Sequence, residues 1–413
     1  MKYTDAFFDE YQERRGSDST KWDSCNEKFG VDSSVEMVPM WIADMDFRSP
    51  VEVQEEMVRR AQFGSYGYTM KKDALYDTII SWVQRRYHWT VEKDWIVITP
   101  GVIPGLHIAV QQLTDPEDGV IVQPPIYYPF MTSAEVNGRK MVPNPLIEKE
   151  GDWFIDFEDL EAKAKDPRNK ILLFCNPHNP VGRVWTPEEI EKVSRICADN
   201  HVLLITDELH ADLMMKGYEH HAANAVCGQY KNNTITYYAP SKTFNLAGLQ
   251  TAVAIIPDAE VREKFIHGLN ANRIFNVNWF GQSALITAWS KCDDYVDALC
   301  SYLDANMDYM KKFIDERLPM VKMKKSQATY MVFVDFRGTG MTTEEIESFI
   351  AQKAHIGVDM GSWFGIGGAG YLRFNLACPR CTLEKALLQL EAALNDRGQR
   401  SSGLRKTARR KGV

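Results

Sequence analysis

No stretch of the 413-residue chain approaches the ~18 consecutive apolar residues that a membrane-spanning helix requires. The N-terminal segment has acidic residues among its first ten and lacks an apolar core, so we predict no secretory signal peptide. Eight cysteines over this length are too few for a disulfide framework. These absences predict a cytoplasmic protein that does not enter a membrane.

The sequence also lacks an internal repeat and a convincing metal motif. Cys378 and Cys381 have the spacing of zinc ligands, but neither a second cysteine pair nor a suitable histidine pair accompanies them. The glycine-rich segment 365–370 precedes a predicted strand instead of opening a helix after one, which argues against a nucleotide-binding loop. We therefore predict that the chain has no metal site. We predict that segment 365–370 is a mobile loop on the substrate side, with Trp363 and Phe364 as its apolar lining.

Charge is distributed unevenly along the chain. The net charge is −8, but residues 397–413 carry seven basic residues and no acidic one, so the preceding part sums to −15. An acidic body of this kind is a poor general binder of nucleic acid. The basic tail has no apolar periodicity and is predicted to be disordered. We predict neither a nucleic acid nor a membrane as a partner.

What the sequence does contain is a series of short apolar runs, each followed by a loop and usually by a helical stretch. Continuous apolar strands indicate a sheet buried on both faces, which is typical of parallel α/β proteins. After residue 256 the pattern changes to long helical stretches and then alternating strands, which predicts a smaller α+β domain. The predicted elements are the strands Trp95–Thr99, Val120–Gln123, Ile171–Cys175, Val202–Thr206 and Ile235–Tyr238, a helix over 186–200 capped by Thr186, helices over 259–316, strands Tyr330–Phe336 and Tyr371–Ala377, and further helices from about 342 and 382.

Polar residues follow the strands of the first domain. Tyr127, Asn179, Asp207 and Lys242 each come just after a strand, and Gly101 precedes a predicted helix. Ligands of open α/β sheets bind at the carboxyl ends of the strands, so we expect these residues in one crevice. A lysine there can bond an aldehyde, a buried aspartate can hold a protonated ring nitrogen, and a helix N-terminus can bind phosphate. Pyridoxal 5′-phosphate (PLP) carries all of these groups.

At these motifs the chain resembles the fold-type I PLP enzymes of the class I/II aminotransferase superfamily, over about residues 30–395. Within that superfamily it is similar to the cystathionine β-lyase-like C–S lyases of the MalY/PatB type. The superfamily resemblance rests on NPHNPVG (176–182), the Asp-Glu pair at 207–208, SKTFNLAGL (241–249) and YLRFNLACPR (371–380). The subgroup resemblance rests on PMWIADMDF (39–47), PPIYYPF (124–130), DELH (207–210) and APSKTFNLAGLQ (239–250).

The resemblance implies the PLP-dependent transferase fold type I, an α/β fold. Its large domain has a mostly parallel seven-stranded sheet flanked by helices, and a smaller α+β domain follows. We expect an N-terminal arm (1–45) packing with the small domain, a large PLP-binding domain (46–285), a small domain (286–396) and a basic disordered tail (397–413). The resemblance also implies a homodimer with shared active sites, in which Tyr68 is catalytic and enters the neighbouring subunit's site.

The same resemblance assigns residues to the ring of the cofactor. Lys242 matches the catalytic lysine that binds PLP covalently. Asp207 matches the partner of the pyridine nitrogen, Asn179 the partner of the phenolic oxygen, and Tyr127 the aromatic side chain on the ring face. His210 is placed in the cofactor shell, with a hydrogen-bonded histidine at a strand end as the alternative.

Further residues are assigned to the cofactor phosphate and the substrate. Val102 and Ile103 fall where backbone N–H groups bind the phosphate, and Ser241 falls where a hydroxyl commonly reaches it. Arg373 matches the arginine that pairs with the α-carboxylate of an amino acid substrate. Ala43, in the subgroup motif, is the second residue assigned to substrate binding.

Two departures from the superfamily pattern bear on the reaction. Many aminotransferases have a tyrosine three residues after the aspartate and an arginine eight residues after the lysine, where this chain has His210 and Gln250. The C–S lyases share both departures. They favour a PLP-dependent β-lyase that cleaves L-cystathionine or related L-cysteine S-conjugates to pyruvate, ammonia and a thiol. The alternatives are an aminotransferase of α-amino acids and a PLP-binding DNA regulator, although the ~40 residues before the resemblance are too few for a winged helix-turn-helix.

Overall fold

A computed structural model describes residues 2–410, with side chains described through Gly398. In chain order the helices are α1 (Asp5–Phe8), α2 (Thr20–Asp23), α3 (Cys25–Lys28), α4 (Val51–Phe63), α5 (Asp73–Tyr87), α6 (Val102–Leu113), α7 (Tyr128–Glu135), α8 (Phe157–Ala164), α9 (Pro187–Asp199), α10 (Ala223–Val226), α11 (Ala259–Ala271), α12 (Trp279–Lys291), α13 (Asp293–Arg317), α14 (Thr343–Gln352) and α15 (Arg380–Arg410). The strands are β1 (Val38–Pro39), β2 (Ile96–Thr99), β3 (Gly119–Val122), β4 (Lys140–Pro143), β5 (Ile147–Lys149), β6 (Asp152–Phe154), β7 (Asn169–Cys175), β8 (Leu203–Asp207), β9 (Thr234–Tyr238), β10 (Ala252–Ile255), β11 (Lys322–Met323), β12 (Met331–Asp335), β13 (Ile356–Gly357), β14 (Asp359–Met360) and β15 (Tyr371–Asn375).

A seven-stranded sheet in the order β2-β10-β9-β8-β7-β3-β4 forms the centre of the molecule. Every pair in it is parallel except those of β10, which is antiparallel to both of its neighbours. Successive residues of one strand enter opposite cores, as Leu172 and Leu173 do on β7. Because helices cover both faces, the strands read as unbroken apolar runs. The predicted mostly parallel, seven-stranded α/β sheet is confirmed.

Helix α9 begins where its sequence predicts. The Thr186 side chain accepts from the Glu189 backbone N–H at 3.2 Å, and the Glu189 carboxylate accepts from the Thr186 N–H at 2.8 Å. This capping box satisfies two backbone donors that the helix cannot pair internally. One face of α9, including Ile190 and Val193, is buried against the sheet.

A second sheet in the order β11-β12-β15-β14 is antiparallel throughout and lies after α13. The N-terminal segment reaches this region, since β1 pairs in parallel with β13. Phe8 and Met40 are buried in the same core as Phe336 and Phe374. The expected boundary between 285 and 286 falls inside α12, and the division of the chain into an arm and two domains stays a prediction.

The C-terminal segment differs from the prediction of disorder. Helix α15 continues to Arg410, so the backbone over 397–410 is helical, while residues 411–413 lie outside the described part. No proline interrupts this segment, and its serines, lysines and arginines are compatible with a helix, although Gly398 and Gly403 each lower helix propensity by about 1 kcal/mol relative to alanine. In the part of the chain that is described, no helix has the length and apolar character to cross a membrane.

Candidate active site

A cavity of about 510 Å³ lies at the carboxyl ends of the central strands. The structure brings nine of the eleven predicted site residues to its wall. Arg373 lies in an adjoining cavity, and Tyr68 lies in neither. The nine residues are Ala43, Val102, Ile103, Tyr127, Asn179, Asp207, His210, Ser241 and Lys242.

The N-terminus of helix α6 forms one end of this cavity. Gly101 precedes the helix with a φ of 153°, which only glycine adopts readily, and Val102 and Ile103 form the first turn. The first N–H groups of a helix have no internal partner and attract an anion. Ser241 and Gln250 line the same cavity and offer a hydroxyl and an amide, and Lys242 is the one lysine or arginine on the described lining.

Asp207 ends β8 and projects into the cavity. Its Oδ1 accepts from the Leu209 N–H at 3.0 Å, and burial raises its pKa to about 7. The Tyr237 hydroxyl is buried without a partner among the described residues, and burial, followed by the Asp207 charge, raises its pKa well above the ordinary tyrosine value. A cationic ring nitrogen beside Asp207 would stabilise its ionised form.

His210 lines the same cavity as Asp207 and is neutral. Burial, followed by the positive charges of Lys242 and Arg373, lowers its pKa to about 3. Its Nδ1 is buried and has no partner among the described residues. The ring contacts Tyr330 edge-on, with 6.1 Å between centroids. A buried polar atom without a partner on a cavity wall is available to a ligand.

Lys242 follows β9, and its Nζ donates to the Ala43 carbonyl at 2.7 Å. The Tyr330 hydroxyl donates to the same carbonyl at 2.9 Å, a contact that the sequence did not predict. The Asn245 side chain bonds the backbone just after Ala43 and fixes this segment. Loss of solvent, followed by the nearby Arg373 charge, lowers the pKa of Lys242 to about 8.

A second cavity of about 620 Å³ shares Ala43, Tyr127 and Lys242 with the first. Lys242 therefore lies on a wall common to both. The second cavity extends past Arg373 to residues of the N-terminal segment, which sequence reasoning did not identify.

Arg373 is 2% exposed, and its guanidinium has three protein partners on its terminal nitrogens, one of which is the Trp41 carbonyl, 3.4 Å from Nη2. Nη1 donates to the Asn179 Oδ1 at 2.9 Å, and Nη2 forms an ion pair with Asp359. Its Nε has no partner among the described residues. Sequence reasoning missed Asp359, which stands directly opposite Arg373 once β14 pairs with β15.

The donor set of the first cavity fits PLP. The Asn179 carbonyl oxygen is occupied by Arg373, so the amide nitrogen is left to donate to a phenolic oxygen. Asp207 suits a protonated pyridine nitrogen, the start of α6 suits a phosphate, and Lys242 suits an aldehyde.

The family model for aminotransferase class I and II matches residues 43–390. The chain belongs to this family. It is 40% identical to cystathionine beta-lyase PatB of Bacillus subtilis over 388 residues, which are 94% of this chain and 100% of that protein. Cystalysin from Treponema denticola, whose structure contains a PLP cofactor, superimposes with a TM-score of 0.91 at 36% identity, covering 94% of this chain and 98% of that one. The PLP-bound C–S lyase from Staphylococcus hominis superimposes with a TM-score of 0.87 at 30% identity, covering 94% and 97%.

Membership of the class I and II family confirms the fold type predicted from the motifs, and the identity to PatB confirms the MalY/PatB-type resemblance. The comparisons leave the roles of individual residues as predictions. Tyr68 is fully exposed in this chain, and the nearby sequence positions Phe63, Tyr66 and Met70 are also exposed.

Proposed function

We propose that the protein is a PLP-dependent carbon–sulfur β-lyase that cleaves L-cystathionine or related L-cysteine S-conjugates to pyruvate, ammonia and a thiol. The observation that carries the proposal is the position of Lys242 on the wall between two cavities. One cavity has the donor set for PLP, and the other contains a buried arginine suited to an α-carboxylate. The similarity to PatB and to the C–S lyase of S. hominis supports a lyase over other reactions of the family.

When bound, PLP supplies an electron sink for the charge left at the substrate Cα. Lys242 would hold the cofactor covalently in the resting enzyme, and its amine, once released from that bond, would accept the Cα proton in its neutral form. With a pKa of about 8, about a tenth of the amine is neutral at pH 7 and about half at pH 8. Asp207 would keep the ring nitrogen protonated, and the Asn179 amide would donate to the phenolic oxygen.

Arg373 binds the substrate α-carboxylate and orients the Cα–H bond toward Lys242. Its ion pair with Asp359 and its bond to Asn179 hold the guanidinium plane before substrate arrives, so little side-chain freedom is lost on binding. The free Nε remains as a donor inside the buried environment. Ala43 contributes a backbone carbonyl that holds the Lys242 ammonium on the shared wall.

We propose a homodimer in which Tyr68 reaches the partner subunit's site. Phe63, Tyr66 and Met70 are each more than 60% exposed and neighbour Tyr68 in sequence. Phe63 packs on Trp279, with 5.4 Å between ring centroids, so the exposed aromatic surface extends onto α12. A contiguous exposed apolar surface of this kind is typical of a subunit interface.

A cytoplasmic location is also part of the proposal. All eight cysteines are free, and six are buried, among them Cys175 and Cys197. Burial raises the pKa of both thiols and keeps them protonated. Unpaired thiols of this kind suit a reducing compartment.

The deciding experiment supplies purified holoenzyme with L-cystathionine and no 2-oxo acid. We expect pyruvate, ammonia and homocysteine in equal amounts, and Lys242→Ala should abolish their formation. Turnover that requires a 2-oxo acid and returns the matching amino acid would reject the lyase and establish the aminotransferase instead.

A further inference from the structure

We propose that Lys28 and Trp363 form an anion subsite at the outer end of the second cavity, and that this subsite binds a carboxylate carried beyond the sulfur of the substrate. The inference rests on the proposed lyase function and specifies its substrate class. It concerns cysteine S-conjugates whose sulfur substituent ends in a carboxylate.

The second cavity has a buried end and an exposed end. Arg373 and Asp359 are 2% and 6% exposed, whereas Thr20 and Lys28 on the same wall are exposed. A substrate whose α-carboxylate is bound at Arg373 and whose Cα faces Lys242 therefore directs its sulfur substituent along the remaining cavity. The volume of about 620 Å³ is ample for a conjugate larger than cysteine itself.

The positively charged side chains that line this cavity differ in their contacts with other protein groups. Arg373 is paired with Asp359, and Lys242 donates to a backbone carbonyl. The Lys28 ammonium lies 4.6 Å from the centre of the Trp363 ring and forms no ion pair with a described carboxylate, although the Asp359 carboxylate on the same cavity is near enough for the two charges to interact. A cation over an aromatic face on a cavity wall remains free to bind an anion from the cavity side.

The protein also fixes the backbone that carries Lys28. Phe29 packs between Trp41 and Trp363, with ring centroids 5.5 Å and 6.3 Å away. The Gln352 amide donates to the Phe29 and Gly30 carbonyls at 3.0 Å and 3.1 Å. Lys28 is therefore held at the cavity by contacts with the C-terminal half of the chain, unlike a lysine on a freely moving loop.

We expect the subsite to distinguish substrates by the charge of the group at the far end of the sulfur substituent. A carboxylate at the outer end gains an ion pair with the exposed Lys28 ammonium, an ammonium is repelled, and a neutral group of the same shape gains nothing. The distal amino acid end of L-cystathionine carries such a carboxylate.

The test compares two isosteric substrates of the holoenzyme, S-(2-carboxyethyl)-L-cysteine and its amide S-(2-carbamoylethyl)-L-cysteine. Lys28→Met retains the apolar stem and removes the charge. We expect it to raise KM for the carboxylate about threefold, with kcat little changed, and to leave both constants for the amide unchanged. Added salt should weaken the preference of the wild type and not that of the variant.

Lys231→Met is the matched control, because Lys231 also lies over a tryptophan, 4.8 Å from the Trp95 ring, and lines neither active-site cavity. Lys28→Glu supplies a charge reversal and should favour S-(2-aminoethyl)-L-cysteine over the carboxylate. Equal effects of Lys28→Met on acid and amide, no effect on either, or the same effect from Lys231→Met would overturn the subsite.

A binding measurement separates this inference from the proposed function. The dissociation constant of each conjugate can be read from the change that it causes in the visible absorption of the bound cofactor. If the wild type releases no pyruvate from any conjugate, the lyase proposal fails, and these constants still decide whether Lys28 binds the carboxylate. If the amide is cleaved and Lys28→Met changes nothing, the lyase stands and the subsite is rejected.

Discussion

Lys242 has an amine whose proton affinity is set by its surroundings. Its pKa lies near 8 because the cavity removes solvent and because Arg373 adds positive charge, while Asp44, Asp207 and Asp359 oppose both effects. A lysine amine must be neutral to attack an aldehyde, and a pKa near the working pH makes the neutral form plentiful. The first prediction follows from this balance.

The rate of PLP attachment to protein stripped of cofactor should rise with pH around a midpoint of about 8. The sign follows from the lowered pKa, since the amine is protonated below pH 8 and nucleophilic above it. Asp359→Asn removes a negative charge that raises the pKa of Lys242, so the midpoint should move lower, whereas Asp199→Asn on the exposed end of α9 should leave it in place. Stopped-flow absorbance measures the rate, and a wild-type midpoint near the ordinary lysine value would contradict the account.

The residues that sequence reasoning identified share a property that Asp359 and Tyr330 lack. Lys242, Asp207 and Asn179 follow apolar strands directly, so the rule that ligands bind at strand ends places them together. Asp359 meets Arg373 only through the register of two short strands, and Tyr330 meets Ala43 across 287 residues. No local pattern encodes contacts of that kind.

Helix α6 owes its position to a glycine. A Cβ on Gly105 would lie 2.6 Å from Cε1 of Tyr237, whose ring is fully buried on β9 and close to Asp207. This close approach places the N-terminus of α6 at the phosphate end of the cavity.

Gly105→Ala should therefore destabilise the protein and weaken PLP binding. Alanine gains about 1 kcal/mol in helix propensity, but overpacking a fixed aromatic ring costs about 1–3 kcal/mol, so we expect a net loss of up to about 2 kcal/mol. Urea unfolding measures the stability, and titration with PLP measures the affinity. Gly228→Ala, at a glycine with open space around it, is the control and should lack both effects. Unchanged PLP affinity in Gly105→Ala would show that α6 does not depend on this contact.

Among the secondary-structure elements, the strands that could be predicted from the sequence are those that are buried on both faces. The five strands predicted for the first domain are all present and are almost entirely buried. Strand β4 was not singled out because it lies at the sheet edge and is at most half-buried, so its sequence KMVP lacks a continuous apolar run. Strand β10 is apolar but follows a lysine-bearing loop closely, and its antiparallel direction has no local sequence marker.

At the scale of the whole molecule, Tyr68 lines neither active-site cavity of its own chain. Its side chain is fully exposed beside other exposed apolar residues, although the resemblance places it in an active site. A residue supplied in trans predicts complementation between two inactive variants.

Lys242→Ala and Tyr68→Phe chains, mixed in equal amounts and reassociated, should recover up to about a quarter of the wild-type rate. Half of randomly paired dimers are hybrids, and each hybrid contains one site with both residues intact. Lys242→Ala mixed with Arg373→Ala is the control and should recover nothing, because Arg373 and Lys242 line the same cavity of one chain. Absence of recovery in the Tyr68 mixture, with hybrid formation verified by mass spectrometry, would place Tyr68 outside the partner's site.

The two cavities that meet at Lys242 also differ in their origin along the chain. Most of the wall that fits PLP comes from residues 100–251, whereas much of the substrate-side wall comes from the first 43 residues and from 359–373. Gene-level changes confined to those two outlying stretches can alter which thiol is released while the cofactor chemistry is inherited intact. In a family with this arrangement, substrate specificity can change while the cofactor site is retained.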